Sequence, residues 1–472
     1  MTYLNSKTAY LIGIGGIAMG TLAAMLKAKG FQVLGSDQNL YPPMSTSLEQ
    51  LQIPVRLGYR AENLHGLQPD FVVIGNAIRR DNPEASYVLQ HNLPYLSMPQ
   101  AIQRFFLNTQ ESIVVTGTHG KSTTASLLAW VLDHARQDPS AFIGAFLKNW
   151  QSSCRIGNGR YMVIEGDEYD TAFFDKGPKF LHYQPSIGII TSIEYDHADI
   201  FADFAAVLSA FQKFAALFDG NKQLIVNADD PHCLTTARAS RAAVITYGES
   251  AQADWRLLEV RHHPGQIQFR YRDPTGKRHA MLTPLAGRHN LCNTLAVMVA
   301  ASLAGVSAEQ LQEALLNFAG VRRRQDILGE GKGILVMEDF AHHPTAVRET
   351  VAALRLHFPE RRLIAAFEPR TNSSRRRVFQ EAYASAFGGA HCVCIKQPPD
   401  LEKVPETERL DARRLVADIG ARNQEARYFE TSDELLEFLT DYCRAGDLVL
   451  CMSNGSFDGL PARFLAAIQA ET

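Results

Sequence analysis

No run of about 18 apolar residues occurs in this 472-residue sequence, so nothing in it reads as a membrane-spanning helix. Neither sign of charge is in surplus. The 47 Lys and Arg stand against 50 Asp and Glu, a formal net charge of −3, which offers no basic surface for bulk nucleic-acid binding. Cysteine is sparse, odd in number and dispersed, with seven in the chain. That usage suits free thiols in a reducing cytoplasm. The one close pair, Cys392 and Cys394, alternates onto one strand face and lacks the second ligand pair of a metal site. Repeats of fixed period and low-complexity tracts are absent. What remains is 46% apolar and 21% charged, the composition of a globular enzyme, and a length that calls for about three domains.

The stretch Met1 to Lys7 is polar, and the glycine-punctuated run after it reads as a buried strand and turn, not a signal peptide. Strand candidates follow at Tyr10 to Ile14, Phe31 to Gly35 and Phe71 to Ile74, with a helix to about Lys29. Short apolar runs alternating with helical stretches predict a parallel sheet with crossover helices. Leu93 to Gln110 holds prolines and then polar residues and reads as a connector. A second segment opens at the strand Ile113 to Val115, with a helix from about Lys121 to Ala135 and strands at Tyr161 to Ile164, Ile187 to Ile190 and Gln223 to Val226. Trp255 to Leu282 has the shorter alternation of a small antiparallel sheet, and Leu291 to Ala304 is helical. The third segment repeats the doubly wound pattern, with strands at Ile334 to Met337, Leu363 to Phe367, Cys392 to Ile395 and Leu448 to Met452. The fold expected is α/β in three domains: a Rossmann-like domain over 1–108, a central P-loop-type ATPase domain over 109–326 and a doubly wound domain over 327–472.

Two glycine-rich turns carry the first chemical signals. Gly13-Ile-Gly15-Gly16-Ile-Ala18 follows the first strand and opens a helix, and Asp37 ends the next strand. Such a turn brings backbone N–H groups to a phosphate, and an acid at that place usually holds a ribose hydroxyl. Alone, this motif reads as a nicotinamide-dinucleotide dehydrogenase. A second turn speaks against that. Thr116-Gly117-Thr118-His119-Gly120-Lys121-Ser122-Thr123 lies between a strand and a helix. The strict phosphate-loop pattern wants glycine where Val115 stands, but the physics holds: glycines expose N–H groups, Lys121 reaches terminal phosphates and the Ser122 hydroxyl can sit on Mg²⁺. The bland alternative is a helix cap.

Further along, Glu165-Gly-Asp167-Glu168-Tyr169-Asp170 ends a strand, and a carboxylate there with Ser122 would give Mg²⁺ two hard oxygens, unless the loop is merely solvated. His197, flanked by Asp196 and Asp199 at a strand end, is a candidate ligand. Asn290 and Asn293 lie one helical turn apart and could read a base or ribose, although asparagine also caps helices. Arg322, Arg323 and Arg324 suit phosphate neutralisation or a solvated basic run. Asp339-Phe-Ala-His342-His343-Pro344-Thr345 follows a strand and looks like the last domain's contribution to a site.

In this order and spacing these motifs resemble the Mur ligase family of peptidoglycan synthesis over essentially the whole chain. The opening Gly-x-Gly-Gly with Asp37 resembles the branch that handles UDP-N-acetylmuramate, where the Rossmann-like turn holds UDP instead of NAD. The resemblance implies ATP as co-substrate with Mg²⁺. It implies a UDP-sugar site at Gly13, Gly15, Gly16, Asp37 and Asn76. It implies ATP on Gly117, Thr118, His119, Gly120, Lys121, Ser122 and Thr123 with Asn290, Asn293, Arg324 and Asp339. Ser122 and Glu165 would hold a first Mg²⁺, and His197 a second. Lys121, Glu165 and His197 would carry the chemistry. The last domain would bring a peptide amine, with His342, His343, Arg370, Asn372, Ser453 and Asn454 as its candidate contacts. Tyr41-Pro-Pro-Met-Ser45, Glu168-Tyr-Asp-Thr-Ala-Phe-Phe-Asp-Lys176, Glu368-Pro-Arg-Thr-Asn372 and Met452-Ser-Asn-Gly455 resemble members that add the tripeptide L-alanyl-γ-D-glutamyl-meso-diaminopimelate in wall recycling. Members that add L-alanine are the alternative. Ser192 departs from the asparagine common in the family, and Thr371 from serine.

Overall fold

The computed structural model describes residues 7–41, 44–198, 200–263 and 265–470. Most of the polar lead Met1 to Lys7, the two prolines of the Tyr41 to Ser45 segment and Asp199 lie outside the described residues. The chain clusters into two compact units. One comprises 1–193, 208–247 and 296–314; the other comprises 194–207, 248–295 and 315–472.

The first unit carries two parallel sheets. In the first, the strands run Val55–Leu57, Gln32–Asp37, Thr8–Ile12, Phe71–Ile74 and Tyr95–Ser97, all parallel. Thr8–Ile12 sits in the middle because it is apolar along its length and buried on both faces, with Ala9 to Ile12 fully enclosed. Chain order reverses beside it, so the glycine turn after it opens at the switch point of the sheet. The expected connector at Leu93 to Gln110 is instead the strand Tyr95–Ser97 and the helix Met98–Phe105. Ser97 and Gln100 form a reciprocal capping box there, and Pro99 lies in the first turn, where its missing N–H costs nothing. Proline was a helix start in this stretch, not a breaker.

The second sheet of this unit orders its strands Ala243–Gly248, Gln223–Asn227, Ile187–Ile190, Glu111–Thr116, Tyr161–Glu165, Ser140–Leu147 and Ser152–Arg155. They pair in parallel except the last two. Glu111–Thr116 is central, and the helix Lys121–His134 follows it directly. A small hairpin, Asp170–Ala172 with Asp175–Pro178, stands apart from the sheet.

In the second unit, Trp255–His263, Gln266–Arg272 and Arg278–Thr283 form the antiparallel meander expected from their alternation. A six-stranded sheet follows in the order Asp326–Gly331, Ile334–Asp339, Asp447–Met452, Arg362–Phe367, Cys392–Lys396 and Glu425–Phe429. Its first pair is antiparallel and the rest parallel. Period-two alternation splits its side chains between two cores. Ala365, Val393 and Leu450 face one; Ile364, Cys392, Cys394 and Cys451 face the other. Cys392 and Cys394 are thus packing residues on one face. Among the described residues no helix is long and apolar enough to cross a membrane.

Candidate active site

The best-defined chemistry surrounds the second glycine turn. Strand Glu111–Thr116 ends, the chain turns through Gly117 at φ +131°, and the helix begins after Gly120. A Cβ at Gly117 would stand 2.2 Å from Thr191 Oγ1, so only glycine fits. The turn is pinned from the neighbouring strand end: Thr118 N donates to Ser192 O at 2.8 Å and His119 N to Ser192 Oγ at 3.0 Å. The family departure at Ser192 therefore supplies a hydroxyl acceptor to the loop.

Lys121 opens the helix and folds back over the loop. Its Nζ donates to Gly117 O at 2.6 Å and to both Glu168 oxygens at 2.9 and 3.1 Å. The pair is nearly enclosed, with side-chain exposures of 13% and 2%. Burial works against the ammonium, but Glu168, Asp167 and Glu165 outweigh it and raise its pKa above the usual lysine value. Lys121 therefore stays protonated.

Ser122 Oγ donates to Glu165 Oε1 at 2.9 Å, and Glu165 Oε2 accepts Gly144 N at 2.8 Å. Two hard oxygens at this separation fit adjacent corners of a magnesium octahedron, whose edge is about 2.9 Å for ligands at about 2.1 Å. Asp167 is held by Lys179 Nζ at 2.6 Å, a partner that sequence reading missed. The acidic segment thus carries three ion pairs, the third between Asp170 and Lys176 at 2.9 Å, and a hydroxyl contact.

The first glycine turn is built differently. Gly15 N donates to Asp37 Oδ2 at 2.7 Å, and a Cβ on Gly15 would lie 2.9 Å from that oxygen. Asp37, expected on a ribose, also clasps its own turn. Gly13 N and Ile14 N donate to Ser36 O at 2.8 and 3.0 Å, and Ser36 Oγ donates to the fully buried Glu84. Gly16 is the helix cap. Asn76 lies beyond the next strand, on a cavity of about 440 Å³ shared with Arg79, Arg80, Phe173 and Lys176.

The second unit gathers the histidines. His197 adopts φ +57° and sits beside Asp196, with Nε2 3.9 Å from its Oδ2. His342 Nε2 is 3.7 Å from the same oxygen, and its Nδ1 is 3.0 Å from Phe340 O. Burial pushes the Asp196 carboxyl up, but contact with His342 and the charges of His197 and His343 outweigh it and hold the carboxyl well below the usual range. His343 caps the helix Pro344–His357, its Nδ1 accepting Thr345 N at 3.3 Å and lying 3.4 Å from Glu194. Lys121, Ser122 and Glu165 come together in one unit, whereas His197 belongs to the other.

The remaining expected residues, Asn454 apart, are tied to their neighbours. Asn293 Nδ2 donates to Asn290 Oδ1 at 3.3 Å, and Asn290 Nδ2 donates to Ala286 O at 2.8 Å. Arg324 lies over the Phe340 ring at 4.5 Å. Asp339 accepts Gln325 N and Ala341 N, each at 2.7 Å, and burial, only partly offset by Arg324, raises its carboxyl. Ser453 Oγ donates to Glu368 at 2.7 Å, and Arg370 lies 3.6 Å from the same carboxylate. Asn372 Oδ1 accepts Arg375 at 2.6 Å, and the Asn454 Oδ1 atom is buried without a partner among the described residues. Glu368 itself is fully buried and paired with Lys396 at 2.9 Å, and Lys396 reaches Asp458 at 2.8 Å. These contacts span 28 and 62 residues and gave no local signal.

Comparison with known proteins agrees along the chain. Residues 8–109 match the Mur ligase family catalytic domain, 115–301 the Mur ligase middle domain and 323–455 the Mur ligase glutamate ligase domain. A UDP-N-acetylmuramate–L-alanyl-γ-D-glutamyl-meso-2,6-diaminoheptandioate ligase of Escherichia coli is 36% identical, covering 97% of each chain. A UDP-N-acetylmuramate–L-alanine ligase of Chlorobium phaeobacteroides is 32% identical, over 96% of this chain and 95% of that one. The crystal structure of a murein peptide ligase from Psychrobacter arcticus is 31% identical with a TM-score of 0.72, covering 98% of this chain and 99% of that one.

Proposed function

The chain belongs to the Mur ligase family, and on that premise we propose that it is an ATP-dependent amide ligase joining UDP-N-acetylmuramate to L-alanyl-γ-D-glutamyl-meso-diaminopimelate. The observation that carries the ligase reading is the loop at Lys121, where a nearly enclosed ammonium and a hydroxyl–carboxylate pair meet at one strand end. The peptide as amine is supported by the higher identity to the relative named for it, 36% against 32% for the one named for L-alanine. The ranges 1–108, 109–326 and 327–472 are the working division into UDP-sugar, ATP and amine domains.

A free carboxylate resists amide formation because oxide is a poor leaving group. In this reading the lactyl carboxylate oxygen attacks the terminal phosphorus of ATP, and ADP leaves. The amine then attacks the acyl carbon of the resulting acyl phosphate, loses a proton and expels phosphate. Lys121 neutralises the charge that builds on the transferred phosphoryl group, in a site whose low exposure strengthens the effect. For Lys121 to do so its contact with Glu168 must yield to the nucleotide. Ser122 and Glu165 would hold Mg²⁺, which supplies further neutralisation of the phosphate oxygens. Asn290, Asn293, Arg324 and Asp339 are assigned to ATP. Gly13, Gly15, Gly16, Asp37 and Asn76 are assigned to the UDP-sugar. His342, His343, Arg370, Asn372, Ser453 and Asn454 are assigned to the amine.

Labelling the lactyl carboxylate with heavy oxygen tests the sequence of steps. One labelled oxygen should appear in the released phosphate. Phosphate released without label would overturn the acyl-phosphate route.

A further inference from the structure

The second unit contains two cavities that share walls. One, of about 490 Å³, is lined by Tyr195 and Ala198, the immediate surroundings of His197, and by Arg376, Arg377 and Thr407. The other, of about 500 Å³, takes up at Arg377 and Thr407 and ends at Arg413, Arg414 and the edge-strand residue Tyr428. Sharing two wall residues, they adjoin as a trough that starts at Tyr195 and Ala198, the chain neighbours of Asp196 and His197, and reaches Tyr428 on the outermost strand of the six-stranded sheet.

The trough is cationic. Arg376, Arg377, Arg409, Arg413 and Arg414 line it, against Glu406, Glu408 and Asp411. Two of those acids are already engaged: Glu408 pairs with Arg376, and Asp411 caps the helix Ala412–Gly420 through Arg414 N at 2.9 Å. Among the arginines, Arg376 is spent on Glu408, Arg409 Nε donates to Val404 O at 2.8 Å and Arg414 lies 3.7 Å from Asp418, which leaves Arg377 and Arg413 as the less committed ones. Arg377 is exposed and makes no ion pair or side-chain hydrogen bond among the described residues. Arg376, paired with Glu408 through Nη1, keeps a buried Nε without a partner among the described residues. Arg413 Cζ stands 4.0 Å from the centre of the Tyr428 ring, with its nearest carboxylate, Glu430, 3.9 Å away. A guanidinium held against a ring keeps its fork free for a planar carboxylate.

The walls are fixed. Buried Arg375 donates to Pro399 O at 3.2 Å and Asp400 O at 3.0 Å, tying the segment after Cys392–Lys396 to the Thr371 turn. Ser373 Oγ accepts Ala198 N at 3.1 Å and anchors the other end beside His197. Gln380 and Asp411 exchange two hydrogen bonds, at 3.0 and 3.1 Å.

We propose that this trough is the bed of the peptide amine, with the peptide's carboxylates bound by Arg377 and by the Arg409–Arg413 end, and its amino end directed to the His197 side. The proposal rests on the ligase reading above and names binding residues outside every motif that led to it. A rigid arginine-lined trough fits an elongated acid carrying several carboxylates and gives no advantage to a single small amino acid.

The test is steady-state kinetics of Arg377→Ala, Arg413→Ala and the double variant, with Arg377→Lys as the conservative control. KM for the tripeptide should rise about tenfold in the double variant, with kcat within about twofold, as expected for lost uniform binding to partly exposed guanidinium groups. KM for ATP and for UDP-N-acetylmuramate should not move, which also certifies the fold, and Arg377→Lys should recover part of the loss. An active double variant with unaltered tripeptide KM would overturn the proposal and leave the ligase reading standing. A wild-type enzyme that uses L-alanine and refuses the tripeptide would overturn the choice of amine and this proposal with it.

Discussion

The two glycine turns look alike as strings and differ as chemistry. Both follow the central strand of a parallel sheet and open a helix. The first contains no cation, and the acid beside it, Asp37, accepts a hydrogen bond from the turn itself at 2.7 Å. The second carries a buried lysine held on two carboxylate oxygens and a hydroxyl held on a third. A turn whose acid is spent on its own backbone can hold a ligand in place. A turn that presents a charged lysine can also stabilise charge as it develops. On the proposed assignment the first is a binding turn and the second a reacting one, and the family matches along the chain exclude the dehydrogenase reading of the first.

Removing the cation tests the contrast most severely. Lys121→Ala should lower kcat by about 10²–10³-fold or more while the protein still melts cooperatively. A variant retaining more than a tenth of wild-type turnover would erase the distinction between the turns. Glu165→Ala removes one of the paired oxygens, and the Mg²⁺ concentration for half-maximal rate should rise about tenfold, the worth of one charged ligand. An unshifted magnesium titration would take Glu165 out of the metal site. Asp37→Ala should act on binding only, raising KM for UDP-N-acetylmuramate by several-fold to about tenfold with kcat held, the pattern of lost uniform binding. A fall in kcat alone would mean that the first turn takes part in the reaction after all. Ser192→Ala strips one acceptor from the second turn. It should cost about 1 kcal/mol in urea melts and raise KM for ATP slightly; no change in either would show that the turn holds without it.

Periodicity and punctuation made the sheets legible. Strands such as Phe71–Ile74 and Ile187–Ile190 were found at their observed bounds because short apolar runs bounded by polar or turn residues, Asp70 and Gly75 or Ser186 and Thr191, have few other readings. The helix Met98–Phe105 escaped because Pro99 was read as a breaker, although Ser97 and Gln100 around it carry the spacing of the capping box that the structure shows. In the candidate site, Lys121, Ser122 and Glu165 were legible from one strand–turn–helix signature and one strand end. Lys179 beside Asp167, and the Glu368–Lys396–Asp458 chain, were not. Those pairs join the ends of different elements, and no spacing along the chain encodes them. Glu84 was invisible for the same reason, since its donors Tyr10, Ser36 and Asn63 come from three separate elements.

The central claim is that the reacting turn drives amide formation to a peptide. Phosphate release with ATP, Mg²⁺ and UDP-N-acetylmuramate, comparing the tripeptide with L-alanine as the amine, tests it most directly. Release that depends on the tripeptide is the expected result; release with L-alanine and none with the tripeptide would contradict it.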